Sequence, residues 1–131
     1  MTFGHSGLPT TELPRRYRVL ERLGEGGSGE VFRVFDLARN AELALKIVDR
    51  PEAPWLLKEF HLLRSVRHEN LIRVFDSGEL SSGHSYYSME LVDGTDLREA
   101  FRGPMPEEPC RHVLLGALRG LGHLHCHGFL H

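Results

Sequence analysis

The sequence predicts an α+β fold with five strands in one antiparallel sheet, a helix inserted after the third strand and two helices after the fifth. Three observations predict it. Between residues 17 and 48, β-rich runs alternate with glycine- or turn-rich clusters, the pattern of an antiparallel meander. Over residues 55–66, apolar side chains recur close to every 3.6 positions. After Asp93-Gly94 the texture turns helical.

Residues 1–16 carry Gly4, Gly7, Pro9 and Pro14 among small polar residues and read as a flexible N-terminal tail. Residues 17–23 mix apolar and charged side chains as a half-buried strand does, and a glycine cluster ends them. Residues 29–36 (GEVFRVFD) and 41–48 (AELALKIV) are the second and third strands, with Ala38-Arg39-Asn40 as the turn. Pro51 and Pro54 then break the strand pattern. The helix that follows has Trp55, Leu56, Phe60, Leu62, Leu63 and Val66 as its apolar stripe. Strands at 71–76 and 86–92 flank the turn SGELSSGHS. Thr95 or Asp96 caps a short helix to about residue 102. Pro106-Glu107-Glu108 suits the first turn of a longer helix bearing Val113, Leu114, Leu115, Ala117, Leu118, Leu121 and Leu124.

Composition narrows the function. Sixteen basic against 18 acidic side chains give a formal charge of −2, which argues against a nucleic-acid binder, because the phosphate backbone selects a cationic surplus. Two cysteines, Cys110 and Cys126, do not make a disulfide framework and point to a reducing, cytoplasmic setting. No apolar secretory core is seen near the N-terminus, and no stretch approaches the 18 apolar residues a membrane span needs.

The residues that carry chemistry begin with Gly24-Glu25-Gly26-Gly27-Ser28-Gly29-Glu30-Val31. A G-x-G-x-x-G string also opens the helix of dinucleotide-binding βαβ units, but here a β-rich run follows it. Between two strands, such a string makes a flap whose backbone can lie close over phosphates; a plain hairpin turn is the alternative. Lys46 is one of only two lysines and shares a strand face with Ala44 and Val48, opposite Leu43, Leu45 and Ile47. A central strand is covered on both faces, so its ammonium needs an anionic partner unless it snorkels out at an edge. Glu59, four residues from both Trp55 and Leu63, is the carboxylate that would meet it, unless it is solvated at the margin of the stripe.

Together these residues resemble the protein kinase family, in particular the bacterial eukaryotic-like Ser/Thr kinases. GEGGSGEV resembles the Gly-rich loop, LALK the V-A-I-K segment, and Glu59 the glutamate of the αC helix. His68-Glu69-Asn70-Leu71-Ile72 is similar to the H-P-N-I-V run, with glutamate in place of proline. Tyr87 to Gly94 resembles the last N-lobe strand and the hinge, and His123 to His131 the approach to the catalytic loop. The resemblance covers residues 17–131, with residues 17–92 as a kinase N-lobe and 93–131 as the hinge and the start of the C-lobe. It implies that Gly24, Gly26 and Gly29 cover the ATP phosphates, with Leu23 and Val31 closing over adenine. Ala44 would line the adenine pocket, and Lys46, paired to Glu59, would hold the α- and β-phosphates. Met89 would be the gatekeeper, Glu90 and Val92 would read the adenine edge through their backbones, and Asp96 would suit a ribose hydroxyl or simply cap a helix.

The sequence departs from the family in two places. Lys46 and Glu59 are only 13 residues apart, so the connection must turn tightly. The 131 residues also stop at His131, which matches the histidine of H-R-D. The aspartate that accepts the substrate proton, and the Asn and D-F-G Asp that hold Mg²⁺, are not among them. The expectation is therefore an ATP-binding part that is catalytically incomplete by itself, with a protein substrate belonging to the complete kinase. The long helix should expose apolar residues able to associate with other chains. Two rivals stand beside this reading. One is a non-catalytic nucleotide-binding or interaction module. The other is a metal-binding protein built on His123, His125, Cys126, His127 and His131, with Cys110 and His112. No Cys-x-x-Cys or His-Glu pair completes such a set, so no metal site is expected.

Overall fold

Alternation along residues 43–48 sets the two faces of the sheet: Leu43, Leu45 and Ile47 point one way, and Ala44, Lys46 and Val48 the other. The computed structural model describes residues 8–26, 28–49, 53–104 and 106–128, apart from the side chains of Ala53 and Glu59. Its strands are β1 (Tyr17–Gly26), β2 (Gly29–Asp36), β3 (Ala41–Val48), β4 (Val74–Glu79) and β5 (Ser85–Glu90). Its helices are α1 (Ala53–Ser65), α2 (Leu97–Ala100) and α3 (Glu107–Cys126). The strands form one antiparallel sheet in the order β1-β2-β3-β5-β4, which puts β3 at the centre as its apolar content requires.

The chain divides into two compact units: one holds the five strands and α1, the other residues 66–72 with α2 and α3. Residues 66–72 thus join the helices rather than the sheet, unlike a simple division at residue 92. The reason is a close fit. A Cβ on Gly120 would sit 3.0 Å from the Asn70 carbonyl oxygen and 3.3 Å from Leu71 Cδ2, and one on Gly116 would sit 3.1 Å from Asn70 Nδ2. The Leu71 amide donates to the His68 carbonyl at 3.1 Å, which makes this stretch a turn. For that reason β4 starts at Val74, three residues beyond the expected start.

In the sheet unit, the outer face carries the core. Phe32, Val34, Leu43, Leu45, Ile47 and Tyr86 are buried there, together with Tyr17, Leu13 and Leu80. Residues 8–16 were expected within a flexible tail; instead they lie over this face, because Leu8 and Leu13 pack on its apolar surface. Residues 1–7 of that expected tail lie outside the described residues. A turn of 3₁₀ helix at Thr10–Glu12 lets the Glu12 carboxylate accept from the Ser82 amide at 2.9 Å. The Ser82 hydroxyl and amide hold that carboxyl below the usual range.

Arg16 closes the strap with a two-pronged bond. Its Nε and Nη2 donate to the fully buried Asp36 carboxylate at 3.1 and 2.7 Å, and the Ala38 amide adds a third donor at 3.0 Å. Asp76 accepts from both Arg16 and Arg39, at 3.3 and 3.1 Å. The Arg16 guanidinium holds the Asp36 carboxyl below the usual carboxylate range, and Asp36 in turn raises Arg16.

On the other face, α1 packs against β4 and β5. Leu56, Phe60 and Leu63, spaced i, i+4, i+7, turn inward with Tyr87 around a small apolar cavity. Trp55 and Leu62, expected on the same stripe, are instead exposed, Trp55 at 72%. Each precedes an inward residue by one position, about 100° around the helix, so they fall on a flank.

Candidate functional site

The inner face of the sheet is assembled by strand register. Val31 pairs with Lys46, Lys46 with Tyr87, and Ala44 with Met89, so all five side chains share one face. Ala44 is buried, while Val31, Lys46 and Met89 are half-buried. Above them the β1–β2 hairpin continues into the glycine string: Gly24 pairs with Val31, Glu25 with Glu30, and Gly26 with Gly29. A register shift between Arg22 and Gly24 leaves Leu23 unpaired at the rim, 47% exposed.

The three glycines are there for different reasons. Gly29 has φ +148°, and a Cβ there would run into the Ile47 carbonyl, so packing demands glycine. A Cβ on Gly24 or Gly26 would meet nothing within 4 Å. Among the described residues no neighbour asks for glycine at those two positions, which leaves open space in front of their backbone.

Lys46 turns toward the flap. Its Nζ donates to Ser28 Oγ at 2.8 Å, and the Asp49 amide donates to the Ser28 carbonyl at 3.0 Å. The sequence reading gives Ser28 no role of its own; the signal for one is a hydroxyl in the glycine string beside a strand that carries the sheet's only lysine. Glu59 falls in α1 beside the inward stripe, and its side chain lies outside the described residues, so its expected pairing with Lys46 passes to the proposal below. β5, the strand that leads into the expected adenine edge, ends at Glu90. Its amide donates to the Arg73 carbonyl and its carboxylate accepts from the Arg73 amide, both at 2.8 Å.

Val92 and Asp96 belong to the helical unit, and both are exposed. Asp96 caps α2: its Oδ1 accepts from the Glu99 amide at 2.8 Å. In the same unit the His123 ring packs at a tilt against those of His68 and His127, with centroids 4.7 and 4.5 Å apart. The His127 Nδ1 donates to the His123 carbonyl at 2.9 Å. Burial and the two neighbouring rings push the His123 imidazole down. His131 lies outside the described residues, and among those described no group of three His, Cys, Asp or Glu side chains is placed to hold a metal ion.

The protein kinase domain family matches residues 17–131. This chain belongs to the protein kinase domain family. Among curated kinases, PknL of Mycobacterium tuberculosis is 35% identical over 132 residues, covering 95% of this chain and 33% of PknL. The DNA damage-responsive serine/threonine-protein kinase RqkA of Deinococcus radiodurans is 34% identical over 133 residues, covering 94% of this chain and 20% of RqkA. The chain thus spans a third or less of the length of these kinases. In fold, it matches the PknI kinase domain of M. tuberculosis with a TM-score of 0.76 at 23% identity, covering 93% of this chain and 53% of that one. Rad53 solved with AMP-PNP matches with a TM-score of 0.78 at 22% identity, covering 89% of this chain and 32% of that one. The protein kinase resemblance read from the motifs is therefore a family relationship.

Proposed function

We propose that this chain holds ATP under the β1–β2 hairpin, as the nucleotide-binding part of a serine/threonine protein kinase. In the complete kinase, the ATP γ-phosphate passes to a hydroxyl of a protein substrate. The observation that carries the reading is the half-buried Lys46 ammonium, which shares a face with Val31, Ala44 and Met89 under a glycine flap with free space before Gly24 and Gly26. An apolar floor suits a purine ring and an ammonium suits its phosphates. The names of PknL and RqkA support the Ser/Thr assignment, and the nucleotide analogue in the Rad53 structure supports ATP.

In this reading Leu23 and Val31 close over adenine on Ala44, with Met89 at the back, and Gly24, Gly26 and Gly29 face the phosphates. Glu59 pairs with Lys46 and steadies it. The adenine-edge roles of Glu90 and Val92, and the ribose role of Asp96, belong to the same proposal. Mg²⁺ neutralises phosphate charge in kinases, but the described residues supply no site that fits it. The cytoplasm, where ATP is available, is the compartment this reading expects; no helix among the described residues is long and apolar enough to cross a membrane. On α3, Leu114, Leu115 and Leu118 are exposed, a surface able to take part in association with another polypeptide.

Lys46→Ala tests the proposal. A charged hydrogen-bond partner is worth about 1.5–3 kcal/mol, so ATP affinity should fall roughly 10- to 100-fold by calorimetric titration while adenosine affinity stays level. Unchanged ATP affinity would remove Lys46 from the phosphates.

A further inference from the structure

We propose that the Ser28 hydroxyl is a phosphate-binding group, acting with Lys46 as a two-donor clamp on one anionic oxygen of the nucleotide. The proposal rests on the ATP reading above. Its starting point is the 2.8 Å bond between Lys46 Nζ and Ser28 Oγ. An ammonium has donors only, so the hydroxyl oxygen accepts. That bond uses an oxygen lone pair and leaves the hydroxyl proton for a further acceptor. With the two donor atoms 2.8 Å apart, one oxygen can lie within hydrogen-bond distance of both.

The clamp is preorganised from both sides. The Asp49 amide holds the Ser28 carbonyl at 3.0 Å, which ties the flap to the residue after β3. Next along the chain, Gly29 lies against the Ile47 carbonyl in a backbone conformation that side chains disfavour. Ser28 therefore cannot drift far from Lys46 without breaking the pairing of Gly29 with Val48. A half-buried hydroxyl polarised by an ammonium suits an acceptor that carries charge, and a phosphate oxygen is that acceptor in a nucleotide. The two neutral donor classes around it differ in what they report: the flap backbone recognises any phosphate chain, whereas the hydroxyl adds a contact that a Ser-to-Ala change removes alone.

The experiment is calorimetric titration of the full chain with ATP and, separately, with adenosine, for the parent, Ser28→Ala and Ser28→Thr. Far-UV circular dichroism checks that each variant is folded. The expected result is ATP affinity about tenfold weaker in Ser28→Ala and within about twofold of the parent in Ser28→Thr, with adenosine affinity level in all three. Equal ATP affinity in the parent and Ser28→Ala, with the parent binding ATP, would overturn the clamp and leave the ATP reading standing. A loss in Ser28→Ala that extends equally to adenosine would also overturn it, as a change of flap shape. A parent that binds neither ATP nor adenosine would overturn both the reading and the clamp.

Discussion

Gly29→Ala is expected to cost the sheet unit about 4 kcal/mol, as the sum of backbone strain and overpacking. The residue sits at φ +148°, and a Cβ would be driven into the Ile47 carbonyl, a backbone atom of the central strand that has no rotamer to give way. Relief would require parting β2 from β3 at the Gly29–Val48 pair, beside the Lys46–Ser28 bond. Small domains are stable by only about 5–15 kcal/mol, so the melting temperature should drop by roughly 15 °C or more. Gly24→Ala and Gly26→Ala serve as controls. Among the described residues nothing lies within 4 Å of a Cβ at either position, so each should change stability by no more than about 0.5 kcal/mol. Thermal unfolding followed by circular dichroism separates the outcomes; equal melting of the Gly29 and Gly24 variants would contradict this account of the hairpin.

Asp36→Ala should be the other large loss, about 3 kcal/mol. Its carboxylate is fully buried and bound by Arg16 from two nitrogens and by the Ala38 amide, so truncation leaves that amide without its acceptor and Arg16 with only the longer Asp76 contact. The figure sits at the low end for buried pairs because Arg16 and Arg39 are each about a third exposed and can rehydrate. The loss has a pH signature. Asp36 is held below its unfolded value in the native state, so its stabilisation is present above the ordinary carboxylate range and fades as pH falls toward the depressed value. Urea unfolding of parent and variant should therefore differ most near neutrality and converge in acid. Parallel curves from pH 7 to 3 would show that Asp36 holds nothing through its charge.

Much of the sheet was legible because its signals are local. The alternation of Leu43, Ala44, Leu45, Lys46, Ile47 and Val48 needs no knowledge of other strands to sort two faces, and both faces of this central strand are covered, with only Lys46 half-buried. Val31, Ala44, Lys46 and Met89 came to one face because antiparallel register carries that alternation from strand to strand. Signals that depend on distant partners were not legible. Residues 8–16 look loose by composition, yet Leu13 gains its order from a core drawn from several strands and Arg16 from an aspartate 20 residues away. The start of β4 shifted because Asn70 and Leu71 answer to Gly116 and Gly120 on α3, a contact that no local period encodes. Trp55 went to the wrong side because an apolar residue one position off a helical stripe looks the same in sequence as one on it. Ser28 was missed for a related reason: its meaning comes from Lys46, 18 residues on, and only the hairpin register brings the two together.

The central claim is that nucleotide lies on the Val31–Ala44–Met89 face under the glycine hairpin. Backbone amide shifts of the uniformly ¹⁵N-labelled chain, followed during titration with ATP, test it most directly. The account predicts saturable movement concentrated at Gly24, Gly26, Ser28, Gly29, Val31, Ala44, Lys46 and Met89, with Phe32, Leu45 and Ile47 on the opposite face moving less. Shifts confined to residues of the outer face or to α3, or no saturable shift up to millimolar ATP, would contradict it.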